Sequence, residues 1–344
     1  MGYSKLSNEL NDILNEFYPN NSQPGVLFIL HDGEKIISNH SIGKPCLEKN
    51  YIFSLETKFN IASVSKQFTA IAVLLLEKRG ELSLGDTIQK WFPENSNSNI
   101  SNITLEQLLS HSSGIPDLRD RNNLNFAITA TDIESYSYIF SLEKLKYIPG
   151  QGYEYQNPTY QLFYTIIERA SGIRFCDFMK NEIFDRLNML DTHYFDKDVE
   201  IYNCANAYTY REDLNSFQLH QYGSELFFAT KADGGIYTTA RDFITWKDSL
   251  QNGYLRDLYI KAIQPRVLVD DMPHKNTMYG LGWFIESNPY VGEKVCHYGD
   301  NGGFQIYEAT LKNRLSYLIF SNRNDKNRDM IVDQIDKKIA SCLL

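Results

Sequence analysis

The chain has 344 residues, which is long enough to bury a large core in one domain or in two lobes. It carries 34 basic and 43 acidic residues, so its formal charge is −9. This acidic balance disfavours nucleic acid and anionic membrane surfaces as partners. The five cysteines show no Cys-x-x-Cys spacing, and their odd number favours reduced thiols.

The N-terminal part is predicted to form a helix and a hairpin. Apolar residues recur at helical spacing over residues 6–17, and residues 25–30 and 35–42 flank an Asp32-Gly33 turn. We see neither the basic and apolar regions of a signal peptide nor a run of eighteen apolar residues. We therefore expect a cytoplasmic protein without a membrane span.

Ser63 and Lys66 stand at the start of an apolar helical run. Their i, i+3 offset places the lysine beside the serine, provided that Ser63 begins the helix. Residues 71–76 are apolar on nearly every face, which predicts a buried helix and a poorly solvated Lys66. Burial favours the neutral amine of lysine, which can take the proton of a nucleophilic serine.

The Ser-x-x-Lys spacing also occurs at Ser41 with Lys44 and at Ser141 with Lys144. Ser41 ends a predicted hairpin strand, and Ser141 lies in a polar stretch typical of an exposed helix face. Only Ser63 opens a predicted buried helix, so context selects it.

Tyr155 and Asn157 follow a Pro149-Gly150 turn signal and precede a helical run, which predicts that Tyr155 lies on a loop over a cleft. A tyrosine beside an ammonium group is driven toward phenolate and can share the transfer of a proton. An asparagine side chain can bind a substrate amide through both its donor and its acceptor. The Tyr-x-Asn pattern also occurs at residues 18–20. There we instead expect the end of the first helix, because Pro19 stops it.

A third motif, at 297–304, begins with His297-Tyr298-Gly299-Asp300, follows a predicted strand and leads into another. Its glycines would let a substrate backbone approach the strand edge closely. Further strands are predicted at 279–285, 294–298, 304–311 and 316–322, before a final helix.

Strands at both ends of the chain and helices between them predict an α+β fold. One antiparallel sheet would be built from both chain termini and flanked by helices, with a mainly helical lobe inserted. We expect residues 1–84 and 276–344 to form the sheet lobe and residues 85–275 the helical lobe. The active-site cleft would lie between the two lobes.

The serine, tyrosine and histidine motifs, in this order, resemble the serine β-lactamase and penicillin-binding-protein superfamily, in particular its class C-like branch. Segments 104–115, 234–242 and 279–283 are also similar to family segments, and Thr104 with Gln107 forms a predicted capping box. The resemblance spans roughly residues 20 to 325 and implies the β-lactamase/transpeptidase-like fold.

The resemblance also implies a role for each matching residue. Ser63 would be the nucleophile, Lys66 its partner and Tyr155 the general acid/base, and Asn157 would bind a substrate amide. No metal or cofactor is expected, because no His-Glu-x-x-His motif or Cys/His cluster occurs.

On the strand motif, the resemblance implies substrate binding by His297, Gly299 and Asp300. The backbone N–H groups of Ser63 and Asp300 would form an oxyanion hole. His297 stands where many relatives have lysine. Because an unperturbed histidine has a pKa of about 6.5, it would be a weaker clamp for a substrate carboxylate.

The function predicted from these features is a serine hydrolase that forms an acyl-enzyme on Ser63. Its substrate would be a small ester, a D-amino-acid amide or, weakly, a β-lactam. The alternatives are a catalytically idle penicillin-binding or sensor protein and a cell-wall DD-carboxypeptidase or endopeptidase. An α/β-hydrolase is disfavoured because no Gly-x-Ser-x-Gly elbow occurs.

Overall fold

A computed structural model describes residues 2–118, 126, 129–195, 201–220, 229–270, 276–312, 314–324 and 327–343. The helices are α1 (Gly2–Phe17), α2 (Lys66–Lys78), α3 (Ile88–Trp91), α4 (Leu105–Leu109), α5 (Asp132–Tyr136), α6 (Asn157–Ser171), α7 (Phe175–Met179), α8 (Ala240–Gln251), α9 (Arg256–Ala262) and α10 (Arg328–Leu343). The first seven strands are β1 (Val26–His31), β2 (Ile36–Ile42), β3 (Lys58–Asn60), β4 (His193–Tyr194), β5 (Tyr208–Arg211), β6 (Ser216–Leu219) and β7 (Ile236–Thr239). The others are β8 (Val267–Leu268), β9 (Met278–Tyr279), β10 (Phe284–Asn288), β11 (Gly292–Asn301), β12 (Phe304–Leu311), β13 (Ser316–Ser321) and β14 (Arg323–Asn324).

The main sheet has eight strands in the order β2-β1-β13-β12-β11-β10-β9-β8, and every neighbouring pair is antiparallel. The predicted hairpin is confirmed as β1 and β2. Its turn is held by Asp32, whose side chain accepts from the backbone N–H groups of Glu34 and Lys35. The N-terminal hairpin therefore pairs with strands from the last quarter of the chain, as the α+β prediction requires.

Both faces of the main sheet are buried. Along β1, Leu27 and Ile29 belong to a core that includes α2, whereas Phe28 and Leu30 belong to a second core that includes α1 and α10. Successive strand residues point to opposite faces, so one strand contributes to both cores. The fold is a mixed α+β arrangement of a large antiparallel sheet with flanking helices.

The segment between the two parts of this sheet contains most of the helices and also short strands. Strands β3, β7 and β4 form one small sheet, and β14, β5 and β6 form another. These strands have two to four residues, which is too short for apolar alternation to show in a sequence. The predicted lobe boundary at residue 275 lies outside the described residues, and the division into lobes stays a prediction.

The strand predicted over 279–285 is divided. β9 ends at Tyr279 and β10 begins at Phe284, and Gly282 between them has a φ of 90°. A residue in this left-handed region interrupts the extended backbone. A Cβ at position 282 would also lie 3.1 Å from the Lys66 carbonyl oxygen, so this break allows the sheet to pass close to α2.

Candidate functional site

Ser63 lies in a 3₁₀ turn, Ala62–Ser65, that leads directly into α2. The turn starts from a strained residue, since Ala62 has a φ of 47°. Asn60 stabilises this conformation, because its Oδ1 accepts from the Ala62 backbone N–H at 2.9 Å. The Ser63 side chain remains partly exposed at the start of an otherwise buried helix.

Lys66 is fully buried at the first position of α2. Its Nζ donates to Ser63 Oγ at 3.1 Å, to Asn157 Oδ1 at 2.7 Å and to the Asp233 carbonyl oxygen at 2.9 Å. It also lies 4.9 Å from the ring centroid of Tyr155. Three oxygen acceptors match the three donors of an ammonium group. The structure thus places Lys66, Asn157 and Tyr155 around Ser63.

The Tyr155 hydroxyl is buried, although part of its ring reaches the surface. Burial raises the pKa of Tyr155 well above its ordinary value, and the nearby Ser63 hydroxyl only partly opposes this shift. The expectation that neighbouring Lys66 drives this tyrosine toward phenolate is therefore wrong. Its phenol stays protonated because the cost of removing the charged form from water exceeds the stabilisation by its neighbours.

His111 organises the loop that carries Tyr155. Its Nδ1 accepts from the Gln156 backbone N–H at 3.1 Å, and its carbonyl oxygen accepts from the Glu154 N–H at 3.0 Å. The ring lies against Tyr155, with 4.3 Å between centroids. From the sequence we interpret His111 mostly as a structural residue that stabilises a turn. In the structure it fixes the backbone on both sides of Tyr155.

His111 follows α4, whose N-terminal capping box is confirmed. Thr104 Oγ1 accepts from the Gln107 backbone N–H at 3.2 Å, and Gln107 Oε1 accepts from the Thr104 N–H at 3.0 Å. The histidine itself has a φ of 57°. A non-glycine residue is uncommon in this left-handed region, so the backbone conformation distinguishes His111 from its neighbours.

Gly299 on β11 packs directly against the Ser63 turn. A Cβ at this position would lie 2.4 Å from the Ile61 carbonyl oxygen and 3.2 Å from the Ser63 backbone nitrogen. Only a glycine therefore lets β11 approach this turn so closely. Asp300 is the next residue along β11.

The side chain of Asp300 forms an ion pair with Arg328. Both of its carboxylate oxygens lie 2.7 Å from Arg328 Nη1 on α10. The Arg328 guanidinium also covers the Tyr298 ring at 5.0 Å. The negative charge of Asp300 at this rim is thus balanced by a neighbouring cation.

His297 is fully buried on β11. Its Nδ1 lies 2.8 Å from the Tyr298 carbonyl oxygen, and its Nε2 lies 3.1 Å from the Tyr279 hydroxyl. Because a carbonyl can only accept, Nδ1 carries the proton and Nε2 accepts from tyrosine. Burial, and then the charge of Lys66, lower the pKa of His297 to about 3.

The histidine is therefore neutral, as expected from its residue type, and both of its nitrogens are engaged within the chain. This arrangement leaves neither nitrogen for a substrate carboxylate, so it does not support the predicted contact of His297 with substrate.

Asn60 is a residue of the site that we do not predict from the sequence. Its Oδ1 accepts from Asn301 Nδ2 at 2.9 Å, and its Nδ2 donates to the Gly234 carbonyl oxygen at 3.3 Å. Asn60 thus joins the Ser63 turn, the end of β11 and the loop before β7. Its position three residues before Ser63 is the only local signal for this role.

The other Ser-x-x-Lys pairs lie away from this arrangement. Ser41 is exposed on β2, the edge strand of the main sheet, and Ser141 is exposed in a 3₁₀ turn. Within the part of the chain that the structure describes, no three His, Cys, Asp or Glu side chains could hold a metal ion together. None of its described helices is both long and apolar enough to cross a membrane.

Comparisons with known proteins identify the family of the chain. A model of the beta-lactamase family matches residues 10–340. Penicillin-binding protein 4* of Bacillus subtilis is 26% identical over 333 residues, covering 91% of this chain and 70% of that protein. Protein flp of Staphylococcus aureus is 27% identical over 333 residues, covering 92% of this chain and 63% of that protein. The chain thus spans less than two thirds of the length of flp.

Solved structures show the same fold. The octameric penicillin-binding protein homologue of Pyrococcus abyssi has a TM-score of 0.81 at 22% identity, covering 100% of this chain and 77% of that one. The D-amino acid amidase of Ochrobactrum anthropi has a TM-score of 0.80 at 23% identity, covering 98% and 99%. At these identities the likeness concerns the fold.

Proposed function

Because the chain belongs to the beta-lactamase family, we propose that it is a serine hydrolase that forms an acyl-enzyme on Ser63 with small esters or amides. The observation that carries the proposal is the 3.1 Å contact between Lys66 Nζ and Ser63 Oγ. Lys66 is fully buried, and a serine becomes nucleophilic when a neighbour of this kind takes its proton. The reaction needs neither a metal nor a cofactor.

In the neutral amine form, Lys66 Nζ has two N–H donors for Asn157 and the Asp233 carbonyl and a lone pair that accepts from the Ser63 hydroxyl. In the proposed acylation, Ser63 Oγ attacks the substrate carbonyl carbon, and its proton passes to this amine. Negative charge then develops on the former carbonyl oxygen. The backbone N–H groups of Ser63 and Asp300 would donate to this oxygen, and such a donor typically lowers the barrier by about 3 kcal/mol. The close approach of Gly299 to the Ser63 turn supports this assignment.

Tyr155 would act as the proton donor to the leaving group. Burial keeps its phenol protonated, so it can give a proton to the departing oxygen or nitrogen and regain one from Lys66. Water then attacks the acyl carbon, the carboxylic acid departs, and Ser63 recovers its proton. Asn157, which accepts from Lys66, would also present its amide group to the substrate.

The wall formed by β11 supports an acyl group that carries no carboxylate. His297 is uncharged and enclosed, and Arg328 is already paired with Asp300. A β-lactam carboxylate would therefore find no free cation at these two positions. We propose efficient hydrolysis of esters or amides whose acyl group carries no carboxylate and, at most, slow hydrolysis of β-lactams.

The named relatives support two versions of this proposal. D-amino acid amidase has this fold, which favours an amide of a D-amino acid as substrate. Penicillin-binding protein 4* is a relative over most of the chain, which favours the second candidate, a protein that is acylated by penicillins without turnover. The two differ in the fate of the acyl-enzyme.

The test is to follow product release and intact mass with p-nitrophenyl butyrate, D-phenylalanine p-nitroanilide and a chromogenic cephalosporin. We expect turnover of the ester or the anilide, and its loss by about 10³-fold or more in Ser63→Ala. A stable mass increase on Ser63 without turnover would instead favour the penicillin-binding candidate.

Ser141→Ala is the matched control, since it removes the serine of another Ser-x-x-Lys pair at an exposed position. It should keep the parental rate. Equal rates in the parent and in Ser63→Ala would contradict the proposed function.

A further inference from the structure

Asp132, the first residue of α5, has a carboxylate that is buried far from solvent, at 2% exposure. Its Oδ2 accepts from the Lys231 backbone N–H at 2.8 Å, and its Oδ1 accepts from the Ala232 N–H at 3.0 Å. Two successive backbone donors are thus held by one buried carboxylate, which fixes the 231–233 segment against α5.

The opposite side of the same segment contacts the helix that carries Lys66. The Asp233 carbonyl oxygen accepts from Lys66 Nζ at 2.9 Å, and the Ala232 carbonyl oxygen accepts from Thr69 Oγ1 at 2.6 Å. Thr69 lies one turn after Lys66 on α2. The 231–233 segment is therefore held between Asp132 on one side and two side chains of α2 on the other.

Helix α5 is also linked to the second acceptor of the lysine. It packs on α6, where the hydroxyl groups of Tyr136 and Thr165 lie 2.6 Å apart. Helix α6 begins with Asn157, whose Oδ1 accepts from Lys66. Helix α5 thus contacts both elements that carry the other two acceptors of Lys66, which are Asn157 Oδ1 and the Asp233 carbonyl oxygen.

We propose that Asp132 is a positioning residue for acylation, whose carboxylate holds the 231–233 segment so that the Asp233 carbonyl fixes Lys66 Nζ beside Ser63 Oγ. The inference rests on the proposed function. Asp132 does not touch the nucleophile, and it acts through the backbone of the segment. A displacement of a reacting group by about 1 Å can cost about 10²-fold in rate.

The charge of Asp132 gives this role a dependence on pH. Burial, and then the neighbouring charge of Asp233, raise the pKa of Asp132 to about 8. When the carboxyl group takes up a proton, one oxygen becomes an O–H donor facing an N–H donor, and one of the two hydrogen bonds to the segment is lost. Acylation should therefore rise as the pH increases through about 8.

Other titratable groups surround this carboxylate. They are Asp233 and Lys231 on the segment, Tyr136 on α5, Tyr164 on α6, Cys176 on α7 and Tyr194 on β4. Burial raises the pKa of each of these tyrosines and of the cysteine, so they remain neutral through pH 8. Comparison of the parent with Asp132→Asn isolates the carboxyl group from Lys66 and Tyr155.

The experiment measures the rate of acylation by p-nitrophenyl butyrate from pH 6 to 10. Asn keeps the size of Asp but places an NH₂ group against one of the two backbone donors. We expect Asp132→Asn to acylate about 10- to 100-fold more slowly at pH 9 and to lose the rise near pH 8. Thr69→Val removes the contact on the other side of the segment and should also slow acylation.

Asp242→Asn is the matched control. Asp242 is also buried and accepts from a backbone N–H, that of Asp191 at 2.9 Å, and burial raises its pKa. It does not bond the 231–233 segment, so its variant should keep the parental pH profile of acylation. An unchanged rate and profile in Asp132→Asn would overturn the proposal.

A crystal structure of Asp132→Asn gives a result that does not depend on turnover. Loss or lengthening of the bond between Lys66 Nζ and the Asp233 carbonyl oxygen is expected, and retention of the parental geometry would refute the positioning role. If the parent itself is never acylated, the proposed function fails, and this hydrogen bond still decides the role of Asp132.

Discussion

Two walls border Ser63: a helical wall at the start of α2 and a strand wall formed by β11. They use their polar groups differently. On the helical wall, Lys66 directs its three donors to Ser63, Asn157 and the Asp233 carbonyl. On the strand wall formed by β11, His297 pairs with Tyr279 of β9, and Asp300 pairs with Arg328 of α10.

The helical wall is therefore suited to activating the nucleophile, whereas the strand wall is not suited to binding a substrate carboxylate. A proton-transfer group needs hydrogen-bond acceptors that fix its position and still leave it able to exchange a proton, and Lys66 has such acceptors. A site for a substrate carboxylate needs a free cation, and Arg328 beside the strand wall is already paired with Asp300. The strand wall instead contributes backbone, through Gly299 and the N–H of Asp300.

Gly299→Ala tests the backbone contribution of the strand wall and should have a larger effect than a substitution of His297 or of Asp300. The new Cβ would lie 2.4 Å from the Ile61 carbonyl oxygen, so β11 and the Ser63 turn must separate. Loss of one oxyanion donor should slow acylation by about 10²- to 10³-fold. The measurement is the rate of acylation by p-nitrophenyl butyrate.

The control for this variant is Gly85→Ala, where the nearest atom to a new Cβ is Ser83 Oγ at 3.7 Å. It should leave acylation unchanged. Parental acylation in Gly299→Ala would show that the close approach of β11 has no part in the reaction.

A second test concerns the buried histidine of the strand wall. Its pKa is about 3 in the folded protein against an ordinary value of 6.5, so the unfolded chain binds more protons between these limits. Stability is therefore fully present above pH 6.5 and is lost as the pH falls toward 3. Between pH 6.5 and 5 the loss due to His297 should be about 2 kcal/mol.

Urea unfolding of the parent and of His297→Gln at pH 8, 7, 6 and 5 measures this loss. His111 remains in both proteins, so the difference between their unfolding free energies isolates His297. That difference should be constant from pH 8 to 7 and should change by about 2 kcal/mol down to pH 5. A constant difference throughout would mean that this histidine does not resist protonation.

The sequence predicts the parts of this comparison that depend on neighbours along the chain. The β1–β2 hairpin, the capping box of α4 and the buried run of α2 are all determined within a few residues. The superfamily motifs add the order of Ser63, Tyr155 and His297. The structure then places Lys66 beside Asn157, 91 residues away.

What the sequence does not predict depends on burial and on contacts between distant segments. The high pKa of Tyr155 follows from enclosure of its hydroxyl, whereas the motif shows only a neighbouring lysine. His297 pairs with Tyr279 across two strands, and Asp300 pairs with Arg328 on the last helix. Spacing within a motif cannot reveal such partners, because each of them lies on a separate element.

Asp300→Asn tests the pairing of charges on the strand wall and should have the smallest effect. It keeps the backbone N–H and the side-chain size but removes the carboxylate bound to Arg328 Nη1, while Arg328 Nε stays 3.4 Å from Asp329 Oδ1. A substrate carboxylate then gains a partly paired cation at the rim. Because such partly exposed pairs are worth about 1 kcal/mol or less, we expect KM for a succinyl ester to fall about three- to fivefold. KM for the neutral butyryl ester should stay unchanged and serves as the control for general damage to the site. An equal change for both esters would mean that Arg328 does not face the acyl group, and the preference for substrates without a carboxylate would then need another cause.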